Sequence, residues 1–119
     1  MNPFQRYGKE ILLKGTHSLD VAAGETESVD YTLTEDLTIT GVSYKTANIG
    51  IDDTATFQIV HPVDGVVNEF GKDVFLKSEE AYSFYAARLV TGLKVRVSVT
   101  NNGSEAIKVR LNCIFHRDQ

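Results

Sequence analysis

The stretch GLKVRVSVTNNGSEAIKVRLNCIFH, residues 92–116, decides the fold class. Its apolar residues recur at every second position: Leu93, Val95, Val97 and Val99, then Ile107, Val109, Leu111, Cys113 and Phe115. Successive side chains of a strand point to opposite faces, so a period of two describes two strands with one buried and one wetted face. Between them, Asn101, Asn102, Gly103 and Ser104 read as a turn, and the stretch is expected to be a hairpin. Matching the inward faces then requires an odd loop, as in a three-residue connection with glycine in the left-handed position. The outward positions hold Lys94, Arg96, Lys108 and Arg110. One register sets Arg96 opposite Arg110, and the other sets Arg96 opposite Lys108 and Lys94 opposite Arg110. Both juxtapose like charges, which destabilises a strand pair unless acids lie alongside. An acidic neighbour is therefore expected on this face.

The rest of the chain follows the same period. In SVDYTLTEDLTITG, Val29, Tyr31 and Leu33 alternate with polar residues, and after Glu35 and Asp36 so do Leu37 and Ile39. This reads as a hairpin with Leu33 opposite Leu37 and Tyr31 opposite Ile39. The apolar phase shifts at Gly41 to Val42 and Tyr44, which marks a bulge. TATFQIVHPVDGVVNEF reads as a second hairpin, turning at Asp64 and Gly65, with Pro62 at an edge or strand end. A short strand over residues 74–76 is expected after a turn at Gly71 and Lys72, with further short strands at 11–14 and 19–21. Residues 79–89 admit two readings. Ser78 could cap a short helix with Glu79 and Glu80 in its first turn, whereas Tyr82, Phe84 and Tyr85 suit a strand. The fold class is all-β, an antiparallel β-sandwich of about eight strands. Residues 1–15 are assigned to an N-terminal arm and 16–119 to a single sandwich domain.

Composition agrees with one globular domain: 119 residues, 42% apolar and 24% charged. A single cysteine excludes an intrachain disulfide. No apolar run approaches the roughly 20 residues of a membrane-spanning helix. The first 15 residues lack the apolar core and small-residue cleavage site of a signal peptide. Charge is unevenly distributed within a net −4. Residues 16–87 hold three lysines against thirteen acids, whereas residues 88–119 hold six cations against two acids. The acidic centre and basic ends either neutralise each other within one subunit or pair across a subunit boundary.

Candidate chemistry is sparse. His17, His61 and His116 have no metal-ligand spacing, and no metal or other cofactor is expected. Cys113 falls on the apolar face, where a free thiol behaves as a small hydrophobe. The acid pairs Asp52, Asp53 and Glu79, Glu80 could serve glycoside hydrolysis or calcium, but neighbours on a strand point to opposite faces. No phosphate-binding glycine loop or nucleophile elbow is present, so the chain is not expected to be an enzyme. Net acidity and the lack of interleaved outward aromatics argue against nucleic acid. A glycan platform built from Tyr7, Tyr44, Tyr82 and Tyr85 is the more serious rival.

VAAGETESVDYTL (21–33), IDDTATFQIVHPVDGVV (51–67) and the opening stretch together resemble small jelly-roll virion proteins of tailed bacteriophages, most of all capsid decoration or cement proteins. The resemblance covers most of residues 17–116. It implies a non-enzymatic virion protein, assembled in the host cytoplasm, that binds the major capsid protein on the outer shell and self-associates, commonly as a homotrimer. It implies no nucleic-acid or membrane partner. Under it, Phe4, Arg6 and Tyr7 of the arm would anchor by aromatic insertion and basic contact, and Lys94, Arg96, Lys108 and Arg110 would meet a partner or neighbouring subunit. The alternative it leaves open is a carbohydrate-binding or adhesin-like module of a phage neck or tail.

Overall fold

The computed structural model describes residues 10–11, 17–47, 53–76 and 81–117. They form nine strands and no helix: β1 (Glu10–Ile11), β2 (His17–Val21), β3 (Thr26–Thr32), β4 (Leu37–Ala47), β5 (Thr54–His61), β6 (Gly65–Phe75), β7 (Ala81–Leu89), β8 (Lys94–Thr100) and β9 (Ile107–His116). All pairings are antiparallel. One sheet has the order β9-β4-β7, with β1 and β2 both pairing to β9; the other has the order β3-β8-β5-β6. Between β2 and β9, every connection except β5–β6 crosses from one sheet to the other. That is the connectivity of a jelly roll, and the all-β sandwich expected from the alternation is what the chain forms.

The inward phase predicted for residues 92–116 is the observed one. Val95, Val97, Val99, Val109, Leu111 and Phe115 are all fully buried, and Ile107 and Cys113 nearly so. They meet Tyr31, Leu33, Leu37, Ile39, Val42 and Phe57 in a single core. Tyr31 spans it: its ring lies 6.4 Å from that of Phe115, and its hydroxyl donates to the Leu111 carbonyl at 3.1 Å. Tyr31 sits in one sheet and both partners in the other, so this contact joins the two layers.

Partner choice differs from the sequence expectation in two places. β8 and β9 are not a hairpin; they belong to opposite sheets, so Arg96 faces neither Arg110 nor Lys108. Residues 101–106 bridge the gap of about 10 Å between packed sheets, which a tight hairpin loop could not do. Likewise β3 pairs with β8, and β4 with β7 and β9, so Leu33 and Leu37 flank a crossover rather than facing each other in a ladder. Both leucines are buried by it.

Other details were legible. The bulge stands at Gly41, with the register shifting between Ile39 and Gly41 against both neighbours, and Val42 and Tyr44 face the core beyond it. β5–β6 is a hairpin, but its loop has three residues, 62–64, closed by Gly65 at φ +77°, a left-handed position suited to glycine. Residues 71–76 do not form a turn and a new strand. β6 continues through 71–75 and ends at Phe75, with a bulge at Asp73 (φ 48°) whose N–H donates to Thr56 Oγ1. Residues 81–89 are a strand, which overturns the helical reading: antiparallel pairing with β4 supplies a ladder that a one-turn cap could not outweigh. Glu79 and Glu80 lie outside the described residues.

Candidate functional site

The four cations of the opening stretch are split between the two outer faces of the sandwich. Lys94 and Arg96 lie on β8, and Lys108 and Arg110 on β9 of the opposite sheet. Arg96 stands directly across from Asp30 of β3 and clamps it two-pronged: Nε to Oδ1 at 2.8 Å and Nη2 to Oδ2 at 3.2 Å. Hydrogen bonding and the adjacent charge raise the guanidinium pKa further. The acidic neighbour expected for this side chain is thus in the same chain. Lys94, on the same face, lies between Thr32 and Val60. Around them the outer face is polar and laddered, with Thr26 bonded to Thr100 at 2.8 Å and Ser28 to Ser98 at 2.7 Å.

The opposite face is more basic. Lys108 stands across from Asp20 of β2, at 3.8 Å between charged atoms, with both side chains mostly exposed. Arg110 lies between Ser18 of β2 and Lys45 of β4, so two like charges face each other across the β4–β9 ladder. Arg88 on β7 stands opposite Thr38 on the same face, and Glu10 is placed opposite His116 at its far end. Phe4, Arg6 and Tyr7 lie outside the described residues.

The crossovers at the two ends of the sandwich are tied by Asn101, Asp53, Asp36 and Glu35, of which only Asp53 was a candidate for chemistry in the sequence, as half of an acid pair. Asn101 is fully buried. Its Nδ2 donates to the carbonyls of Val21 (3.0 Å) and Glu105 (2.7 Å), and its Oδ1 accepts from Gly103 N–H at 2.9 Å. Its main chain accepts from Gly24 and donates to Glu25, both at 2.9 Å, so one residue joins the β8–β9 and β2–β3 crossovers. Asp53, 1% exposed, accepts Asn102 N–H at 2.9 Å on Oδ1, and its carbonyl accepts Leu76 N–H. At the other end Asp36 Oδ1 accepts from both N–H (2.8 Å) and Oγ1 (3.1 Å) of Thr91, and these bonds lower its pKa. Glu35 is held below the usual carboxylate range by a two-pronged pair with Arg117 at 2.6 and 3.0 Å. The only sequence signal for Asn101 was its place in an Asn-rich loop, which a surface turn explains equally well.

The remaining candidates have structural surroundings. His61 Nδ1 accepts from Val63 and Asp64 N–H at 3.1 and 3.2 Å, closing the β5–β6 loop. Cys113 is buried, and desolvation pushes its thiol pKa up, away from the thiolate a nucleophile needs. Tyr44 is 6% exposed in the core, which removes it from any glycan platform. Tyr7 and Asp52 lie outside the described residues. Among those described, no three His, Cys, Asp or Glu side chains gather as metal ligands, and no helix is long and apolar enough to cross a membrane.

No protein-family model matches the chain, and no curated protein matches it. Among solved structures, a chain in the structure of infectious bursal disease virus, Gx strain, is similar over 93% of this chain at 14% identity, with a TM-score of 0.46. This chain spans 36% of the length of that one.

Proposed function

We propose that the protein is a structural component of a virion, most specifically a decoration or cement protein that binds the outer surface of a capsid and associates with itself. Assembly, not catalysis, is the role on this reading. The observation that carries it is the bracing of the crossovers. Asn101, Asp53, Asp36 and Glu35 each commit side-chain atoms to another connection or strand end, leaving a stiff body whose charge is displayed on its two broad faces. A cement protein works by binding without deforming, and preorganised surfaces lose little entropy on docking. The jelly-roll topology and the resemblance of residues 17–116 to phage decoration proteins support the reading by analogy of fold and sequence style. The test is co-sedimentation of the purified protein with shells stripped of their accessory protein. Saturable binding at moderate salt is expected, and no binding would overturn the capsid assignment. A carbohydrate-binding role is the second reading, favoured by the hydroxyl ladder of Thr26, Ser28, Ser98 and Thr100. A glycan array without hits would remove it.

A further inference from the structure

The β8–β9 crossover carries a chemical liability beside its structural ties. Asn102 is followed by Gly103, and it is the only asparagine of the chain with glycine after it. Both residues are exposed. Asparagine is a thermolabile side chain, most of all before glycine. The reason is that the backbone nitrogen of the next residue can attack the side-chain carbonyl carbon, and glycine has no side chain to obstruct it. A bond forms between Gly103 N and Asn102 Cγ, the Cγ–Nδ2 bond breaks, and ammonia leaves with the proton of the Gly103 nitrogen. Water then opens the cyclic imide at either carbonyl, which leaves aspartate or isoaspartate at 102.

The fold holds the attacking nitrogen. Gly103 N–H donates to Asn101 Oδ1 at 2.9 Å, and on its other side the Asn102 N–H donates to Asp53 Oδ1 at 2.9 Å. Asn101 is itself fully buried and fixed through Nδ2, which donates to the carbonyls of Val21 and Glu105. Attack needs Gly103 N to shed its proton and turn towards Asn102 Cγ. The bond to Asn101 opposes both.

We propose that Asn102 is a deamidation site held in check by the hydrogen bond from Gly103 N–H to Asn101 Oδ1. The residue that joins the β8–β9 and β2–β3 crossovers thereby also sets the chemical lifetime of the loop. This inference is independent of the assembly role. Conversion is damaging where it occurs: either product puts a carboxylate on the residue whose N–H Asp53 binds, and isoaspartate adds a carbon to the main chain within the crossover. Both act against the ties at Asp53 and Asn101.

Peptide mapping by mass spectrometry tests this, following Asn102 in the folded protein at mildly alkaline pH and in the same chain unfolded in urea. Conversion should be at least about tenfold slower in the folded chain, the scale of one net hydrogen bond. Asn101→Ala removes the acceptor and should bring the folded rate close to the unfolded one. Asn101→Asp loses the two donated bonds but keeps an acceptor for Gly103 N–H, so it should be unstable like Asn101→Ala yet keep Asn102 slow. Amide hydrogen exchange, measured alongside, should show Leu111 protected in both variants and the Gly103 amide opened only in Asn101→Ala. A Cβ at Gly103 would meet Asn101 Oδ1 at 3.4 Å and Asp53 Oδ1 at 3.8 Å, ordinary contacts, so the loop accepts Gly103→Ala. That variant should convert more slowly than the wild type even in urea, which identifies the Gly103 nitrogen as the nucleophile. Protein converted at 102, separated by ion exchange, should melt below the unconverted form. Equal rates in folded and unfolded wild type, equal acceleration in Asn101→Ala and Asn101→Asp, or a Gly103→Ala chain that converts as fast as the wild type in urea would overturn the proposal.

Discussion

Arg96 of β8 and Asp30 of β3 face each other across an antiparallel ladder and form a two-pronged ion pair, Nε to Oδ1 at 2.8 Å and Nη2 to Oδ2 at 3.2 Å. The pair fixes no crossover; it braces the β3 edge of its sheet. About a third of each side chain is exposed, 35% and 31%, so solvent screens the attraction. A double-mutant cycle on Arg96→Ala and Asp30→Ala should return a coupling of about 0.5 kcal/mol, read from urea unfolding midpoints. A coupling of several kcal/mol would mean that the pair is far drier than its exposure indicates. Neither variant should alter self-association.

Asn101→Ala should be far more costly. The substitution removes the donor that serves the Val21 and Glu105 carbonyls and the acceptor that serves Gly103 N–H. Leaving such groups unpaired near a fully buried position should lower stability by roughly 2 to 3 kcal/mol, a large fraction for a domain of this size. Asn101→Asp should not rescue it, because a carboxylate oxygen would face two carbonyls. Urea denaturation of both variants checks this, and wild-type stability in either would remove the bracing role.

Tyr31→Phe isolates the hydroxyl that crosses between the sheets to the Leu111 carbonyl. Burial raises the phenol's pKa, so it remains a protonated donor throughout the neutral range. The expected loss is about 1 kcal/mol by thermal or chemical unfolding. Phe115→Ala, which empties the ring's partner site, should cost roughly 3 to 5 kcal/mol.

Acid should loosen one end of the sandwich. Glu35 and Asp36 have pKa values lowered in the folded protein, by Arg117 and by Thr91 respectively. A depressed folded value means that the stabilisation is complete above the unfolded carboxylate range of about 4 and is lost as pH falls through the folded value. Glu35→Gln and Asp36→Asn should therefore each lower stability slightly near neutrality, where the tie is fully formed, and converge on the wild type at low pH, which flattens the acid limb of the stability-against-pH curve. An unchanged acid limb would show that neither tie contributes to folding.

The sites differ in how visible they were. Cys113 and His61 were legible as structural residues, because the local phase already placed one on the apolar face and the other at a turn. Asp30 as the partner of Arg96 was not: 66 residues separate them, and no local pattern selects one acid among the thirteen in residues 16–87. Asn101 was missed for a related reason. Its loop looks like any polar turn until the β2–β3 crossover is brought beside it.

By itself the sequence determined which way each strand faces. The period of two placed Val95, Val97, Val99, Val109, Leu111 and Phe115 inward, and the phase change at Gly41 located a bulge, because both follow from apolar burial along a short span. Tertiary structure alone decided which strand lies beside which. Strands of the same phase satisfy the inward rule equally well in either sheet, so alternation cannot tell a hairpin from a crossover. What separates the two is the joint satisfaction of buried groups far apart in the chain: Tyr31 reaching Leu111 and Asn101 reaching Val21. Those contacts put β8 and β9 in opposite sheets, and so divided the four cations of residues 92–116 between the two faces of the molecule.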